Sequence, residues 1–597
     1  MVTFTNDQIA NQLTTVAWTS GGDIPHAWDF SLISANIYSL DAAGQFFARN
    51  AIDAWNEATG LNIHITHSGN ADIKFDDEQY GAVTNASWYV PSGDMASADI
   101  NIGRAWIAGE EGDLSSYSFQ TYIHEIGHAL GLGHAGQYNG NATYGVDNHY
   151  DNDSWQASVM SYFSQTENTA ITASYAYNFT PMIADILAIQ SMYPTVVPFV
   201  HHSDTIYGVG STVGGYMDDL INHYTQVTFT LYDTGGVDTV NFSSDTHDQI
   251  VSLVGETYSS VGGLIGNMAI FRGTVIEKYF AGSGDDTITG NDADNTLKGG
   301  AGSDTLSGGV GIDRLFGGDG IDTVDYSDAA AAANIYLNLG KTKGAEGTDY
   351  LNSIENATGS DFNDRLIGST GTNILNGGAG NDVMKSKGGD DQMFGGDGDD
   401  RMVGHTGNEH MEGGAGVDIM QGISGADDMY GDAGNDYMYG GSGNDSVYGG
   451  TGADKIYGNT GDDTLYGSGI GVADAMTNKI YGGNGNDTIY GADGLDYLYG
   501  DANDDTITGG KGDDRIWGGT GSDTFVFNAG DGADQIKDFE NGLDQLDLTS
   551  WGIANFNDLL ALTTGYANSL SLGFADGSSI LVAGLNLGTF DATDVLL

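Results

Sequence analysis

The sequence predicts two successive folds: an α+β domain over residues 1–198 and, from residue 286, an all-β parallel β-roll. Three observations carry this. The first part alternates helical and strand periodicities, and the later part repeats every nine residues with glycine and aspartate at fixed places. Glycine fills 94 of 597 positions, about twice its ordinary share of roughly 7 %, so a local rule is placing it.

In the first part, Asp41 is placed to cap a helix whose Phe47, Ala48, Ala51, Ile52 and Trp55 share one face and which stops at Gly60. Leu61, Ile63 and Ile65 alternate, as do Ile100 and Ile102, so both segments read as strands. Thr180 and Pro181 have the residue types of an N-cap and a first helical position. They lead into a helix over 181–193 with Met182, Ile186, Ile189 and Tyr193 as its apolar stripe. Residues 199–285 read as a connecting segment. Residues 286–525 form the roll, with interruptions expected at 324–363 and 464–486, and 526–597 form a C-terminal cap.

The repeat reads G-G-x-G-x-D-x-U-x, where U is a large apolar residue, and Gly440–Tyr448 is a good copy. Aspartate recurs at Asp304, Asp313 and Asp322, then at Asp382, Asp391, Asp400, Asp418, Asp436, Asp445, Asp454 and Asp463, and again at Asp487, Asp496, Asp505, Asp514 and Asp523. Glu409 and Asp427 keep the same register. Glycines allow tight turns that crowd carbonyls together, and carboxylate and carbonyl oxygens are hard ligands suited to Ca²⁺. The x-U-x segment is a very short strand, so stacked turns bury a ladder of U residues. U is methionine at 384, 393, 402, 411, 420, 429 and 438, which reads as core packing. Tyr430, Tyr439, Tyr448, Tyr457 and Tyr466 follow as an outward aromatic row. The unit holding Lys387 lacks its glycine pair and that of Glu409 carries a longer acid, so both are expected to bind calcium poorly.

Composition narrows the function classes. The formal charge of −64, from 82 acidic and 18 basic side chains, disfavours nucleic acid and anionic membranes as partners and invites cations. Cysteine is absent, which excludes disulfides and thiolate metal sites. No apolar run is long enough for a membrane span, and no N-terminal signal peptide is visible.

The chemistry concentrates in His124-Glu125-Ile126-Gly127-His128-Ala129-Leu130-Gly131-Leu132-Gly133-His134. Histidines four apart on a helix project from one face. Gly131 permits the left-handed conformation that stops the helix and lets His134 approach as a third ligand. Three imidazoles with one position left open describe a catalytic zinc site. Glu125, within a turn of both helical histidines, is placed to act on water there.

This motif, with Ser158-Val159-Met160-Ser161-Tyr162 beyond it, resembles the metzincin metalloproteases and, among them, the serralysins. The nine-residue unit is that of the RTX calcium-binding proteins. The resemblance implies an α+β metzincin catalytic domain followed by an all-β parallel β-roll (RTX) domain. It implies that Met160 forms a turn beneath the zinc and that Tyr162 is a further zinc ligand which swings away to steady the transition state. It also implies that Ala86–Pro91 is the edge strand that pairs with an extended polypeptide substrate. Tyr232–Thr239 resembles the segment that opens the serralysin C-terminal domain. Ala135 departs from the proline usual after the third histidine. The terminal Asp594-Val595-Leu596-Leu597 resembles the uncleaved signal read by type I secretion machinery.

The expected function is thus a secreted, monomeric zinc endopeptidase acting on extracellular proteins. Zinc would sit on His124, His128 and His134, and calcium would fold the roll outside the cell. A calcium-binding adhesion protein with a vestigial protease domain is the alternative, and an intact Glu125 speaks against it. A toxin that happens to carry a protease is a third class, and no long apolar pore-forming segment supports it.

Overall fold

A computed structural model describes residues 3–15, 27–28, 32–88, 94–136, 138, 141–196, 200–344, 347–469 and 472–597. The chain divides into two compact units, Met1–Gly320 and Ile321–Leu597.

The first unit opens with helix α1 (Asn6–Thr15), strand β1 (Leu32–Asn36), helix α2 (Ala42–Thr59) and strands β2 (Asn62–Ile65), β3 (Ile73–Asp76), β4 (Ala82–Trp88) and β5 (Met95–Ile102). Helices α3 (Tyr117–Ala129) and α4 (Ile183–Met192) follow. The five strands form one sheet in the order β2-β1-β3-β5-β4. All pair in parallel except β4, which lies antiparallel to β5 on the edge. Asp41 caps α2 by accepting the Gly44 amide at 2.9 Å, and Gly60 ends it at φ 72°. The apolar face read from the sequence is buried, with Phe47, Ala48, Ala51 and Trp55 fully so. Part of the expected substrate-pairing segment lies in β4; residues 89–91 fall outside the described residues.

Helix α4 starts two residues later than its apolar periodicity and the Thr180–Pro181 pair imply. Thr180 is not its cap, since its hydroxyl accepts the Thr230 amide at 2.7 Å. The cap comes from inside the helix: the buried Asp185 carboxylate accepts the Met182 amide at 2.9 Å. The stripe Met182, Ile186, Ile189 and Tyr193 is buried as expected. Later in this unit stacked parallel strands already run from Thr239–Asn241 through Lys278–Phe280 to Thr296–Ala301 and Arg314–Asp319.

In the second unit each nine-residue repeat supplies one short strand, and successive strands alternate between two sheets. A strand therefore pairs with the one two repeats on. The single methionine ladder of the sequence becomes two columns, Met384-Met402-Met420-Met438 in one sheet and Met393-Met411-Met429 in the other. All seven are at 0 % exposure, so the U positions form the core between the sheets. The tyrosine row divides the same way. Turn glycines are stacked so closely that a Cβ on Gly396, at φ 106°, would lie 1.9 Å from the Gly378 carbonyl oxygen.

The roll continues through both expected interruptions. Thr323–Asp325 pairs with Asn356–Thr358 around an antiparallel hairpin of Ala333–Tyr336 and Lys341–Gly344. Thr464–Tyr466 pairs with strands on both sides. The inserted residues lie between Tyr466 and Lys479, where the ladder spacing is 24 residues in place of 18. Among the described residues no helix is long and apolar enough to cross a membrane.

Candidate metal centre and active site

Helix α3 carries the site because both of its ends are fixed. Ser116 caps its start by accepting the Phe119 amide at 3.2 Å. At its end Gly131 is left-handed at φ 105°, its amide reaching the His128 carbonyl and that of Leu132 reaching Gly127. This paired closure turns the chain back by the route glycine makes cheap. The last carbonyls are held by Trp28 Nε1 on Ala129 at 3.0 Å and the Tyr193 hydroxyl on Leu130 at 2.8 Å.

The turn brings His134 to the two helical histidines, and one ligand nitrogen from each of His124, His128 and His134 falls within 4.8 Å of the others. His124 Nδ1 lies 2.9 Å from the Val159 carbonyl and His128 Nδ1 2.8 Å from that of Leu132. A carbonyl accepts only, so Nδ1 carries the proton and Nε2 keeps its lone pair for the centre. Burial lowers the pKa of all three, that of His134 to about 3 with the help of His124. They are neutral imidazoles, the form that binds metal. The donor set fits zinc with a position to spare.

Glu125 is 6 % exposed. Burial lifts its pKa to about 7 against an opposing hydrogen bond from the Thr84 hydroxyl, 2.7 Å from Oε2. Thr84 stands on β4, so the edge strand and the acid are tied together. Met160 lies fully buried beneath the site. Its carbonyl accepts the Ala135 amide at 3.2 Å, next to His134. A Cβ on Gly127 would sit 2.6 Å from Met160 Sδ, so the glycine makes room for the methionine turn. Asp185 anchors that turn, accepting from Ser158 Oγ at 2.5 Å and the Val159 amide at 2.8 Å. The Tyr162 ring is 4.6 Å from that of His134 and 6.0 Å from that of His124, centroid to centroid. The cleft in front is lined by Trp106, Tyr117 and Trp155 as well as His124, Glu125 and Tyr162.

The aspartates of the repeat form a second, separate system. Along the ladder Oδ1 accepts the backbone amide of the residue at the same place two repeats earlier, as from Asp382 to Asp400, Asp400 to Asp418 and Asp418 to Asp436 at 2.7–2.8 Å. Oδ2 of Asp382, Asp400, Asp418, Asp436, Asp445, Asp454, Asp463, Asp487, Asp505, Asp514 and Asp523 is buried with no hydrogen-bond partner. A buried, uncompensated carboxylate oxygen is costly. A Cβ on Gly377 would lie 2.3 Å from Asp382 Oδ2 and 2.6 Å from the Gly395 carbonyl oxygen, so the glycine leaves a cradle of hard oxygens. That donor set fits calcium. Asp304, Asp313 and Asp322 are buried alike.

Three places depart from the regular site. Asp496 differs from the expected ligand geometry, because its Oδ2 accepts the Ala492 amide at 2.7 Å. At Asp391 the cradle glycine is replaced by Ser386, whose Oγ donates to the Gly404 carbonyl at 2.5 Å. Burial and the charge of Asp427 lift the pKa of Glu409 to about 9. Sequence reasoning missed Thr84, Gly127 and Asp185. It also missed the ladder places taken by Asn373 and Asn478, whose backbone amides donate to Asp391 and Asp496 like their neighbours'.

Two helix-borne histidines joined by a third from the turn beyond, in a domain with a mixed sheet and followed by a calcium-type β-roll, define a metzincin domain joined to RTX repeats. The Matrixin family model matches residues 30–149, the Peptidase M10 serralysin C terminal model residues 199–328, and copies of the RTX calcium-binding nonapeptide repeat fall within 358–536. Serralysin of Photorhabdus luminescens is 37 % identical over 279 residues, covering 45 % of this chain and 56 % of its own. Metallopeptidase AprA of Pseudomonas marginalis is 32 % identical over 319 residues, covering 49 % and 66 %. Serralysin C of Dickeya chrysanthemi is 39 % identical over 175 residues, covering 29 % and 36 %. The chain thus spans about half to two thirds of the length of the first two relatives. These matches show a serralysin-type metzincin with C-terminal RTX calcium-binding repeats.

Proposed function

We propose that the protein is a zinc endopeptidase that cleaves extended polypeptides outside the cell. The observation that carries this is the meeting of three neutral imidazoles within 4.8 Å of one another, with buried Glu125 beside them in an open cleft. Zinc held there supplies Lewis-acid polarisation of a carbonyl and acidifies water. Glu125 takes the proton of the attacking water and delivers it to the departing amine. A pKa near 7 suits both halves of that transfer. Tyr162, beside His124 and His134, donates its hydroxyl to the developing oxyanion. The free edge of β4 accepts the substrate as an added strand, and Thr84 on that strand couples it to Glu125.

In this reading residues 1–198 carry catalysis, 199–285 connect, 286–525 bind calcium, and 526–597 close the roll. Type I export of a single chain fits calcium-dependent folding, because low cytosolic calcium leaves the carboxylate ladder unneutralised. The testing experiment is Glu125→Ala with zinc analysis and casein hydrolysis. Zinc content should stay and hydrolysis should nearly vanish; retained hydrolysis with zinc bound sinks the mechanism and revives the adhesion reading.

A further inference from the structure

The two sheets of the β-roll in the second unit carry different outward surfaces. Strand register places Arg365, Lys385, Arg401, Lys455, Lys479 and Arg515 on one sheet, six of the chain's 18 basic residues. Over those strands the residues flanking the buried U positions include no carboxylate. The other sheet shows no lysine or arginine at the matching positions from Ile374 to Val526, and it does show Glu412 and Asp428. Among the described residues none of the six cations forms an ion pair with a carboxylate. Phenols hold three of them: Lys455 Nζ lies 4.6 Å over the Tyr437 ring, Lys479 Nζ 5.6 Å over that of Tyr497, and Arg515 donates to the Tyr497 hydroxyl at 3.0 Å.

Beside the cations runs an aromatic column, Tyr439-Tyr457-Tyr481-Tyr499-Trp517, with centroids 4.5–4.9 Å apart and ring planes within 11° of parallel. The three inner rings, Tyr457, Tyr481 and Tyr499, are covered on both faces, so along its length the column offers edges and hydroxyls to a ligand. Next to it Tyr457, Tyr481, Asn459, Asn484 and Asp501 line a groove of hydrogen-bonding groups. The turn edge bordering this sheet carries backbone strain. Lys387, His405, Ile423, Asn459 and Asp501 occupy one column at φ 75–97°, where Gly441, Gly483 and Gly519 stand in other turns. A β-branched residue there is a clear outlier, and such strain concentrates at functional surfaces.

We propose that this basic, tyrosine-lined face binds a linear acidic polysaccharide, with the cations taking its carboxylates and the phenol and amide row taking its hydroxyls. Neighbouring strands are about 4.8 Å apart, so nine of them make a flat stripe of roughly 40 Å, the shape of an extended polymer. Charge complementarity selects a polyanion. The covered ring faces argue against single-stranded nucleic acid, which needs open aromatic platforms for its bases. The proposal stands independently of the peptidase reading.

The test uses the full chain in saturating calcium. Calorimetric titrations compare galacturonate and hyaluronan decasaccharides with a neutral maltodextrin, oligothymidylate and phosphatidylglycerol vesicles. The uronate oligomers should bind, more weakly at higher salt, and the neutral glycan should not. The double change Lys455→Gln with Lys479→Gln should weaken binding by about fivefold or more and leave casein hydrolysis and the calcium-dependent circular dichroism unchanged. Arg515→Gln, tested alone, repeats the experiment should the double variant fold poorly. No preference for uronates over maltodextrin, tighter binding of oligothymidylate or vesicles, or binding indifferent to these substitutions would overturn the proposal.

Discussion

Thr84→Val isolates one contact between the edge strand and Glu125, the proposed catalytic acid. The substitution keeps the side-chain shape and removes the hydroxyl that lies 2.7 Å from Glu125 Oε2. A hydrogen bond to a charged acceptor is worth about 1.5–3 kcal/mol, which converts to roughly tenfold to hundredfold in rate. The same Oγ1 also lies 2.9 Å from the Glu125 backbone carbonyl, and one hydroxyl proton serves one acceptor at a time. The lower end follows, a fall of about tenfold in kcat. KM should hardly move, because the lost group steers the acid and holds no substrate. The assay is steady-state cleavage of a fluorogenic peptide with zinc measured on the same samples, and Thr84→Ser serves as the control that restores the donor. A valine variant within twofold of wild type in kcat, with zinc bound, would falsify the assignment of Thr84 as the residue that positions Glu125.

Three further outcomes are expected. Tyr162→Phe should lower kcat by about 10²-fold with little change in KM, as removal of an oxyanion donor does; unchanged kcat reduces Tyr162 to packing. Gly127→Ala sets a gain in helix propensity of about 1 kcal/mol against an overpacking cost of about 1–3 kcal/mol, because the new Cβ meets Met160 Sδ. Thermal unfolding should therefore come at a lower temperature and zinc should leave faster, whereas a rise in Tm would mean that Met160 yields freely. In calcium-stripped protein, burial and neighbouring aspartates raise the pKa of Asp436 and Asp505 to about 8 and of Asp445 and Asp487 to about 7. The unfolded value is about 3.9, so the folded roll binds more protons than the unfolded chain. Stability without calcium is then greatest in acid and is lost as pH rises from about 4 through 7–8. Circular dichroism should show β signal returning on acidification without calcium, and an apo roll equally folded at high and low pH would refute the linkage.

The parts of this protein that were legible in sequence are those written in local periodicity. The histidine spacing with Gly131 fixes a helix, its stop and the return of a third ligand within eleven residues. The nine-residue register fixes turn, ligand and core place in each repeat. Long-range partners carry no such signature. Thr84 meets Glu125 across 41 residues and Asp185 reaches Ser158 across 27, and nothing near either residue marks it. The alternation of strands between two sheets is equally silent in the repeat, since a nine-residue period is satisfied whether neighbours pair directly or two apart. Asp496 shows a weaker form of the problem. Its repeat has Ala492 where most others have glycine, and the alanine amide turns in to satisfy the carboxylate.

Net charge is the composition-level argument that the structure refines most. A total of −64 describes a protein hostile to every polyanion only if the charge is spread evenly. In the roll it is not. The ladder carboxylates are buried at the turns, where calcium is their fitting counter-ion, and they contribute least to the outer field once neutralised. Six cations share one sheet, three of them (Lys455, Lys479 and Arg515) against tyrosine rings, and among the described residues none is ion-paired with a carboxylate. Average repulsion falls off over a Debye length of about 8 Å at physiological salt, shorter than the roughly 40 Å stripe those cations span. A ligand at that face therefore meets the local stripe more than the molecular total. Excluding nucleic acid by net charge alone is accordingly incomplete, and the stronger reason is stereochemical: the aromatic rings that could stack with bases already stack on one another.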